Sequence, residues 1–379
     1  MDEIQKLQRL SQAGELDVDG KACAGARRDS TEGIILTHAQ LPNGRVSTLL
    51  KSLLTSVCEN NCFYCPFRSG RDFRRETIQP DDFANLVVNL TRAGLIQGIF
   101  LSSGVAGGGS RTQDRLLKTA EILRFKKNYQ GYIHLKIMPG ADYDQVLQSM
   151  RLADRVSINL EAANAQRLPK LAPQKDFDSQ LLRPLGWIES IRRSLSPAGA
   201  WKNRWPSSCT QFVVGGAEES DLELLETSQD LHNNYGLLRA YYSAFKPHKD
   251  TPLENYPPAT YRRELRLYQA DFLLRDYGFT YQELSFTPEG NLLEEVDPKT
   301  AWALRNLIHV PLEINTAPKE NLLRVPGIGP KSAEKIIQRR RQGTIQDVSG
   351  LVKLGINAQK ALAFILLNGR QPQRQLSLF

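Results

Sequence analysis

Cysteine is scarce in this sequence and long apolar runs are absent, and both features restrict what the chain can be. Only five of the 379 residues are cysteines, and three of these lie between residues 58 and 65, which excludes a disulfide framework. No apolar run approaches the length that spans a bilayer, and the segment Met1–Lys6 lacks the basic-then-apolar pattern of a secretory signal. We therefore expect a cytoplasmic protein in a reducing environment, without membrane contact.

The sequence also lacks an acidic excess. Its net charge is +8, and this positive charge is not spread evenly along the chain. Residues 301–379 contain 12 Lys or Arg and 4 Asp or Glu, so the whole basic excess lies in the last fifth of the chain. Basic patches supply the sequence-independent part of nucleic-acid affinity. The charge favours a polyanionic partner for this segment, although a solvated basic tail would give the same count.

From residue 46 onward the sequence alternates between strand and helix patterns. Stretches with helical spacing at 81–93, 113–125, 219–231 and 260–274 separate runs of apolar or β-branched residues. Six strand-then-helix units imply a parallel sheet with right-handed crossovers, so the predicted fold class is α/β with a partial (βα)6 TIM-like barrel. The predicted strands lie near 46–57, 98–103, 132–138, 155–160, 210–214 and 237–243.

Several of these predicted strands have one polar face. In the fourth strand, apolar side chains alternate with Ser157, Asn159 and Glu161, so the polar residues share a face. Helices are expected to cover the outer face of a parallel sheet. The polar faces therefore favour a barrel interior that holds a polar ligand. The alternative is that these faces are simply in contact with water.

The three clustered cysteines form the most specific pattern in the chain. Cys58, Cys62 and Cys65 are spaced so that one short loop can bring three sulfurs to a single centre, and thiolates favour iron–sulfur clusters and zinc. The alternative is a zinc site or closed cluster completed by Cys23 or Cys209. Neither of these cysteines has the paired spacing of zinc sites.

This spacing, with an aromatic residue before the last cysteine, resembles the CxxxCxxC motif of the radical SAM superfamily. The resemblance implies a 4Fe–4S cluster on the three cysteines, with one iron open to S-adenosylmethionine. It also implies that the reduced cluster splits this cofactor into methionine and a 5′-deoxyadenosyl radical, which abstracts hydrogen from a substrate. An electron donor such as flavodoxin or ferredoxin is an implied partner.

The same resemblance places the S-adenosylmethionine contacts at the strand ends. The family usually carries a Gly-Gly-Glu-like segment after its second strand, where this sequence has Leu101–Gly104 and no carboxylate. Serine hydroxyls and strand-end carbonyls can accept a hydrogen bond from the ammonium instead. The residues implied as cofactor-binding are Tyr64, Ser102, Ser103, Gly104, Ser157, Asn159, Glu161, Val214 and Gly215.

Two other patterns allow two interpretations each. Three glycines at 107–109 precede a helix and resemble a phosphate cradle, but the loop lacks the Lys-Ser/Thr of a Walker motif, so we predict a flexible connection. Trp187, Trp201 and Trp205 lie among basic residues, which suits either a stacking groove for unpaired bases or ordinary helix packing.

The segment Leu322–Ile337 closely resembles a helix-hairpin-helix motif. Its Gly-hydrophobic-Gly turn lets the backbone approach DNA, and amides at the next helix N-terminus point at a phosphate. A weaker second copy is predicted at Leu351–Phe364, and a purely structural helical hairpin is the alternative. The predicted DNA-binding residues are Gly327, Gly329, Lys331 and Lys335.

The C-terminal pentapeptide resembles the motif that binds the bacterial sliding clamp. In that motif the glutamine makes polar contacts while leucine and phenylalanine fill an apolar pocket. A frayed terminus is the alternative. The predicted clamp-binding residues are Gln375, Leu376, Leu378 and Phe379.

Over nearly its whole length the chain resembles a bacterial family of radical SAM proteins assigned to DNA modification or repair. The resemblance implies a radical SAM enzyme that acts on DNA, with an RNA-modifying enzyme and a non-catalytic DNA-binding protein with a structural metal cluster as alternatives. The predicted domains are an N-terminal extension (1–45), a radical SAM barrel (46–285), a small all-α helix-hairpin-helix domain (286–370) and a flexible tail (371–379).

Overall fold

The computed structural model describes residues 3–14, 28–31, 33–40 and 46–372. The chain forms two compact units, one made of Met1–Glu219 and Asp230–Glu264 and the other of Ser220–Gln229 and Leu265–Phe379. This division lies before the boundary predicted at residue 285, and the functional domain limits stay a prediction. No helix within the described residues is long and apolar enough to cross a membrane.

The first unit is an eight-stranded curled sheet with helices between successive strands. Its strands follow chain order, and the last six pair in parallel, as the sequence predicts. The elements up to the last strand are α1 (Glu3–Gly14), β1 (Arg28–Thr31), β2 (Ile34–Gln40), β3 (Val46–Leu53), α2 (Pro80–Arg92), β4 (Gly98–Ser102), α3 (Gly109–Glu121), β5 (Tyr132–Lys136), α4 (Tyr143–Leu152), β6 (Arg155–Ser157), α5 (Arg183–Ser194), β7 (Ser207–Val214), α6 (Asp221–Asn234) and β8 (Arg239–Ala244).

Two features of the sheet differ from the sequence-based prediction. β1 and β2 add an antiparallel hairpin at the β3 edge, within the predicted N-terminal extension. The fourth predicted strand is also shorter than expected, because β6 ends at Ser157 and the chain then turns through Glu161, whose φ is 66°. The turn after β6 places Asn159 and Glu161 beyond the end of that strand.

Side-chain alternation divides the six parallel strands into an apolar outer face and a more polar inner face. Leu50, Ile99, Leu135, Val156 and Phe212 are fully buried on the outer face, as expected where helices cover a parallel sheet. The opposite positions include His134 and Ser157, at 6% and 4% exposure. These two inner-face positions are therefore buried, whereas Lys136 and Arg155 on the same face are half-buried, so a polar ligand in the lumen stays a prediction.

The second unit contains the helices that the C-terminal sequence predicts. Its buried core includes Ile314, Val325, Ile336 and Leu351. The unit also has a two-residue parallel ladder, so the predicted all-α composition is not complete. The remaining elements are α7 (Tyr261–Asp276), α8 (Pro298–Asn306), β9 (Leu312–Glu313), α9 (Lys319–Leu322), α10 (Pro330–Arg340), α11 (Val348–Lys353), α12 (Ala358–Ala361) and β10 (Ile365–Leu366).

Candidate active site and helix-hairpin-helix region

The three cysteines lie on the loop that follows β3, at the carboxyl end of the parallel strands. The two ends of this loop meet where the Ser56 amide donates to the Glu76 carbonyl at 3.0 Å. The Arg75 guanidinium then donates to four loop carbonyls, those of Ser56 at 2.9 Å, Phe67 at 3.0 Å, Arg68 at 2.8 Å and Arg71 at 3.4 Å. Arg75 thus fixes the path of the loop, a role that no sequence motif signals.

The glycine-rich segment 107–109 contacts the cysteine loop, an interaction that the predicted flexible connection did not include. The Glu59 carboxylate accepts hydrogen bonds from the amides of Gly107 at 3.0 Å and Gly108 at 2.9 Å. These amides converge because both glycines have positive φ, 77° and 92°. The segment therefore cradles an anion, and that anion is a carboxylate from within the cysteine motif.

Gly104 lets the end of β4 approach the cysteine loop closely. Its amide donates to the Thr55 carbonyl at 2.8 Å. A Cβ at this position would overlap the Val57 carbonyl oxygen and lie 3.2 Å from the Cβ of Cys58. The predicted cofactor residue Gly104 is thus also a steric requirement for the position of Cys58.

The loop after β6 covers the other side of the cysteine loop. The Phe63 amide donates to the Leu171 carbonyl at 2.7 Å, and the Asn61 amide donates to the Gln174 side chain at 3.0 Å. The same loop carries Lys175, whose ammonium donates to the Glu161 carboxylate at 2.9 Å. The sequence analysis did not identify Lys175, because only the fold brings this lysine next to the cysteines.

Glu161 and Lys175 form a buried ion pair, with side-chain exposures of 5% and 9%. Burial and the negative charge of Glu161 raise the pKa of the neighbouring Tyr64 hydroxyl well above its usual value. For Lys175, burial opposes ionisation, but Glu161 and Cys62 outweigh it and raise the pKa of the ammonium. The predicted residues Tyr64 and Glu161 therefore lie together beside the cysteines, around a lysine that stays charged.

We expect Lys175→Met to destabilise the protein by about 3–5 kcal/mol, because it leaves the Glu161 carboxylate buried without its cation. Urea denaturation of the metal-free protein, followed by tryptophan fluorescence, measures this loss. The double variant Lys175→Met with Glu161→Gln is expected to regain most of it, since no buried charge remains. Equal losses in the single and double variants would contradict the ion-pair explanation.

The three thiols interact with one another electrostatically. Burial raises the pKa of Cys62 and of Cys65, and in both cases the neighbouring cysteine sulfurs raise it further while Lys175 lowers it. Cys62 and Cys65 therefore hold their protons until a metal centre supplies positive charge, and loading of such a centre would release these protons. Lys175 contributes a fixed positive charge to the same site.

Three free thiols on one loop are the donor set that a 4Fe–4S cluster with one open iron would use. Among the described residues, no three His, Cys, Asp or Glu side chains are gathered tightly enough to hold one ion. In a 4Fe–4S cluster each cysteine binds a different iron, so the sulfurs lie further apart than around zinc. Cys209, a candidate fourth ligand, instead lies 3.7 Å from the His134 Nε2 atom, and Cys23 lies outside the described residues.

The other predicted cofactor residues lie at the ends of successive parallel strands. Ser102 and Ser103 follow one another at the end of β4, at 3% and 9% exposure. Ser157 ends β6, and its buried hydroxyl has no hydrogen-bond partner among the described residues. Asn159 is half-buried two residues further on. A buried hydroxyl without a partner is costly unless a ligand satisfies it.

At the end of β7 the chain turns sharply next to Val214. Gly215 has a φ of 87°, and its amide donates to the Glu219 carboxylate, which also accepts from the Ala217 amide at 3.1 Å. Burial raises the pKa of Glu219, while these amides and Arg263 lower it. Val214 and Gly215 thus form a fixed backbone edge at the same end of the sheet as the cysteines.

The three tryptophans do not form a stacking groove. Trp187 packs edge-on against Tyr143, and the Trp205 indole nitrogen donates to the Leu195 carbonyl at 3.2 Å. Trp201 lies under the buried Arg124 guanidinium, 3.7 Å from the ring centroid. Each ring is therefore used for packing inside the first unit.

The predicted helix-hairpin-helix forms in the second unit. α9 leads through a tight turn to α10, in which Gly327 has a φ of 82° and Gly329 is the N-cap. Ile328 between the glycines is buried at 1% exposure. Lys331 is exposed in the first turn of α10, so it lies beside the amides that a phosphate would meet.

A second hairpin lies next to the first one, at the position where the sequence predicts a weaker copy. α11 and α12 flank Gly355, which has a φ of 77°. Two contacts join the hairpins. A Cβ on Gly327 of the first hairpin would lie 2.6 Å from the Asn357 carbonyl oxygen of the second. The Lys335 ammonium on α10 donates to the Leu354 carbonyl at 3.3 Å. Each hairpin therefore packs against the helix that follows the other.

The Lys299 side chain on α8 contacts the turn of the first hairpin. Its ammonium donates to the Ile328 carbonyl at 2.5 Å and lies 4.5 Å from the centroid of the Tyr277 ring. Burial lowers the pKa of Lys299 to about 7, with Arg324 adding to this effect and Asp297 opposing it. The conformation of the hairpin thus depends on a residue outside the motif.

This lowered pKa predicts a pH-dependent stability of the second unit. The unfolded chain binds more protons than the folded chain between pH 7 and the ordinary lysine value of 10.5, so stability rises with pH in that window. We expect the free energy of unfolding, followed by Trp302 fluorescence in denaturant, to increase from pH 7 to about pH 9. The increase should be absent in Lys299→Met, and an identical increase in both proteins would contradict the assignment.

The first unit is an α/β half-barrel with three cysteines on the loop after its first parallel strand. This arrangement is typical of proteins that hold a metal cluster at the strand ends. The model of the Radical SAM superfamily matches residues 52–231, which contain this loop and the strands up to β7. Residues 52–231 form a radical SAM domain. A helix-hairpin-helix motif model matches residues 308–360, which include both hairpins.

Members of this superfamily are enzymes that use a 4Fe–4S cluster and S-adenosylmethionine. Over 214 residues the chain is 26% identical to the 7,8-didemethyl-8-hydroxy-5-deazariboflavin synthase of Methanosarcina mazei, covering 54% of this chain and 60% of that protein. The synthase of Methanosarcina barkeri is also 26% identical, and 62% of its length is covered. The chain thus spans about 60% of the length of these curated relatives.

Two solved structures are also similar. Methylornithine synthase is 15% identical with a TM-score of 0.45, covering 59% of this chain and 60% of that chain. The FeFe-hydrogenase maturase HydG from Carboxydothermus hydrogenoformans is 14% identical with a TM-score of 0.46, covering 59% of this chain and 50% of that chain.

Proposed function

We propose that this chain is a radical SAM enzyme that acts on DNA, in repair or in modification. Cys58, Cys62 and Cys65 hold the 4Fe–4S cluster in this proposal. A 4Fe–4S cluster held there would supply the electron for reductive cleavage of bound S-adenosylmethionine, and with it the means to remove hydrogen from a substrate. The residues proposed to hold S-adenosylmethionine are Tyr64, Ser102, Ser103, Gly104, Ser157, Asn159, Glu161, Val214 and Gly215.

The chain's own residues would position and shield the cofactor. The hydroxyl of Ser157 is aimed at the inner face of the sheet without a partner, so it is ready to bind a ribose hydroxyl. The Glu161–Lys175 pair lies beside Tyr64 and offers one anionic and one cationic group to a zwitterionic ligand. The loop carrying Lys175 covers the cysteine loop and keeps water away from this end of the sheet.

The observation that carries the DNA assignment is the pair of hairpins in the second unit. Each has a glycine turn followed by a helix; Gly327 and Gly329 are half-buried, whereas Gly355 and Lys331 are exposed. Helix N-terminal amides and nearby lysines bind phosphates without reading bases. The basic excess of residues 301–379 supports the same partner. Chemistry on a base inside a duplex would require the nucleotide to be flipped or unpaired.

Two partners of this function are proposed as well. A small electron donor such as flavodoxin or ferredoxin would reduce the cluster. The sliding clamp would recruit the enzyme through Gln375, Leu376, Leu378 and Phe379, which lie outside the described residues.

Competition binding tests the DNA assignment. We expect the anaerobically reconstituted protein to bind a fluorescent DNA duplex, and the matched RNA duplex to compete less well than unlabelled DNA. The affinity should fall steeply with added salt, because phosphate contacts release counterions. Stronger competition by RNA would overturn the DNA assignment and favour an RNA-modifying radical SAM enzyme.

A further inference from the structure

Positive charge is concentrated on the part of the cysteine loop that follows the last cysteine. Residues 66–75 contain four arginines and one aspartate, and residues 246–250, in the loop after β8, add two lysines and one aspartate. Both stretches follow strands of the parallel sheet, so they lie at its carboxyl end. Together they form what we call the basic patch, with six positive and two negative charges.

The two stretches of the basic patch are in direct contact. The Arg71 guanidinium donates from Nε to the Lys249 carbonyl at 3.0 Å and from Nη1 to the Pro66 carbonyl at 3.0 Å. Burial lowers the pKa of the half-buried His248, and the positive charges of Arg71 and Lys246 lower it further. The positive charges of both stretches therefore act on the same place.

Two cations of the basic patch have charged groups that remain available to a partner. The Arg68 guanidinium donates only from Nε, to the Asn61 carbonyl at 3.4 Å, among the residues that the structure describes. Lys249 is exposed, and its ammonium has no contact within the same described part of the chain. Arginine has five donors in a planar fork, so Arg68 keeps four of them for an oxyanion or a carboxylate.

The aromatic residues of the basic patch are already used for packing. The rings of Phe67 and Phe73 lie 5.6 Å apart between centroids and are tilted by 57°. The guanidinium carbons of Arg75 and Arg71 lie 4.2 Å and 5.6 Å from the centroid of the Phe73 ring. A groove for unpaired bases offers open aromatic faces for stacking. The basic patch instead offers charge on a fixed loop, which disfavours single-stranded nucleic acid as its partner.

Hydrogen bonds connect the basic patch to the last of the three cysteines. The Phe67 amide donates to the Cys65 sulfur at 3.4 Å, and the Arg68 amide donates to the Cys65 carbonyl at 3.2 Å. Cys65 itself is only half-buried. A protein bound to this patch would therefore lie next to a cluster ligand without entering the half-barrel.

We propose that the basic patch is the docking surface for a small acidic protein that carries one electron. Complementary charge steers such a partner to the patch. Contacts between electron-transfer proteins are small and transient, so a few exposed charges are sufficient. The docked carrier gives up one electron, which the cluster accepts, and no atom is transferred. The inference rests on the proposed function, to which it adds the surface where the electron enters.

Binding of a bacterial flavodoxin to the anaerobically reconstituted protein tests this inference, with a 2Fe–2S ferredoxin as the second probe. The double variant Arg68→Gln with Lys249→Gln removes two exposed charges and keeps Arg71 and Arg75, which hold the loop. We expect it to bind each carrier about five- to tenfold more weakly, because two exposed ion pairs are lost. The salt dependence of binding should also become less steep in this variant.

Stopped-flow absorbance measures electron transfer separately from binding. Reduced flavodoxin is mixed with the oxidised holoprotein, and dithionite serves as the reference because a small ion needs no protein docking surface. At low carrier concentration, the rate of cluster reduction by flavodoxin relative to dithionite should fall by the same five- to tenfold in the double variant. An equal loss with both reductants would indicate a damaged cluster and overturn the inference.

Lys118→Gln is the matched control, because Lys118 is exposed on α3, outside the basic patch. Unchanged binding of both carriers in the double variant, or no binding of either to the wild type, would overturn the inference. Weaker binding of duplex DNA with unchanged binding of the carriers would assign the patch to DNA instead. If the carriers bind and reduce the cluster as expected but S-adenosylmethionine is not cleaved, the docking surface stands and the proposed function fails.

Discussion

Gly104→Ala is expected to remove most of the iron–sulfur cluster while leaving the three cysteines in place. The added Cβ would overlap the Val57 carbonyl oxygen and press on Cys58 at 3.2 Å, so the first ligand must move. Overpacking of this kind costs about 1–3 kcal/mol, and a displaced ligand shell lowers metal affinity by about 10–100-fold. Iron and sulfide analysis after anaerobic reconstitution measures the loss.

Gly186→Ala is the matched control for this variant. Gly186 lies within α5, where a Cβ would come no closer than 3.8 Å to the Tyr235 ring, an ordinary contact. This control is expected to load as much iron as the wild type. Full iron content in Gly104→Ala, with an unchanged visible spectrum, would show that the cysteine loop does not depend on the close approach of β4.

Gly327→Ala is expected to weaken DNA binding without affecting the cluster. Gly327 has a φ of 82°, which disfavours alanine, and a Cβ there would lie 2.6 Å from the Asn357 carbonyl oxygen. The substitution therefore separates the two hairpins and disturbs the amides at the start of α10. We expect a loss of about 1–3 kcal/mol, roughly tenfold or more in affinity.

Fluorescence anisotropy with a labelled duplex measures this effect, and iron analysis of the same sample shows whether the first unit is intact. The Gly186→Ala protein again serves as the control and should bind DNA as the wild type does. Unchanged DNA affinity in Gly327→Ala would mean that the hairpins are structural, which was the alternative reading of the motif. Loss of iron in Gly327→Ala would contradict the assignment of cluster binding to the first unit and DNA binding to the second.

The features that the sequence predicts well depend on local chemistry. Strand alternation identifies the six parallel strands because a buried sheet requires one apolar side per strand. The spacing of Cys58, Cys62 and Cys65 identifies the cluster loop because three sulfurs must reach one centre. The turn at Gly327 was predictable because a positive φ and a close approach both select glycine.

The features that the sequence does not predict depend on contacts between distant segments. Lys175 meets Glu161 and the cysteines only after the loop following β6 folds over the site. Arg75 resembles any other arginine of a basic stretch until its four carbonyl partners are in place. The glycines at 107 and 108 suggested flexibility, whereas the charge of Glu59 holds them in one conformation.

Formation of 5′-deoxyadenosine tests the central claim most directly. The wild-type protein and Cys62→Ala are reconstituted with iron and sulfide, reduced with dithionite and given S-adenosylmethionine, with and without plain or damaged duplex DNA. The proposed function predicts product in the wild type, a higher yield with a DNA substrate, and none in Cys62→Ala. No product from a fully loaded cluster with any DNA would contradict the proposed function and favour a DNA-binding protein with a structural cluster.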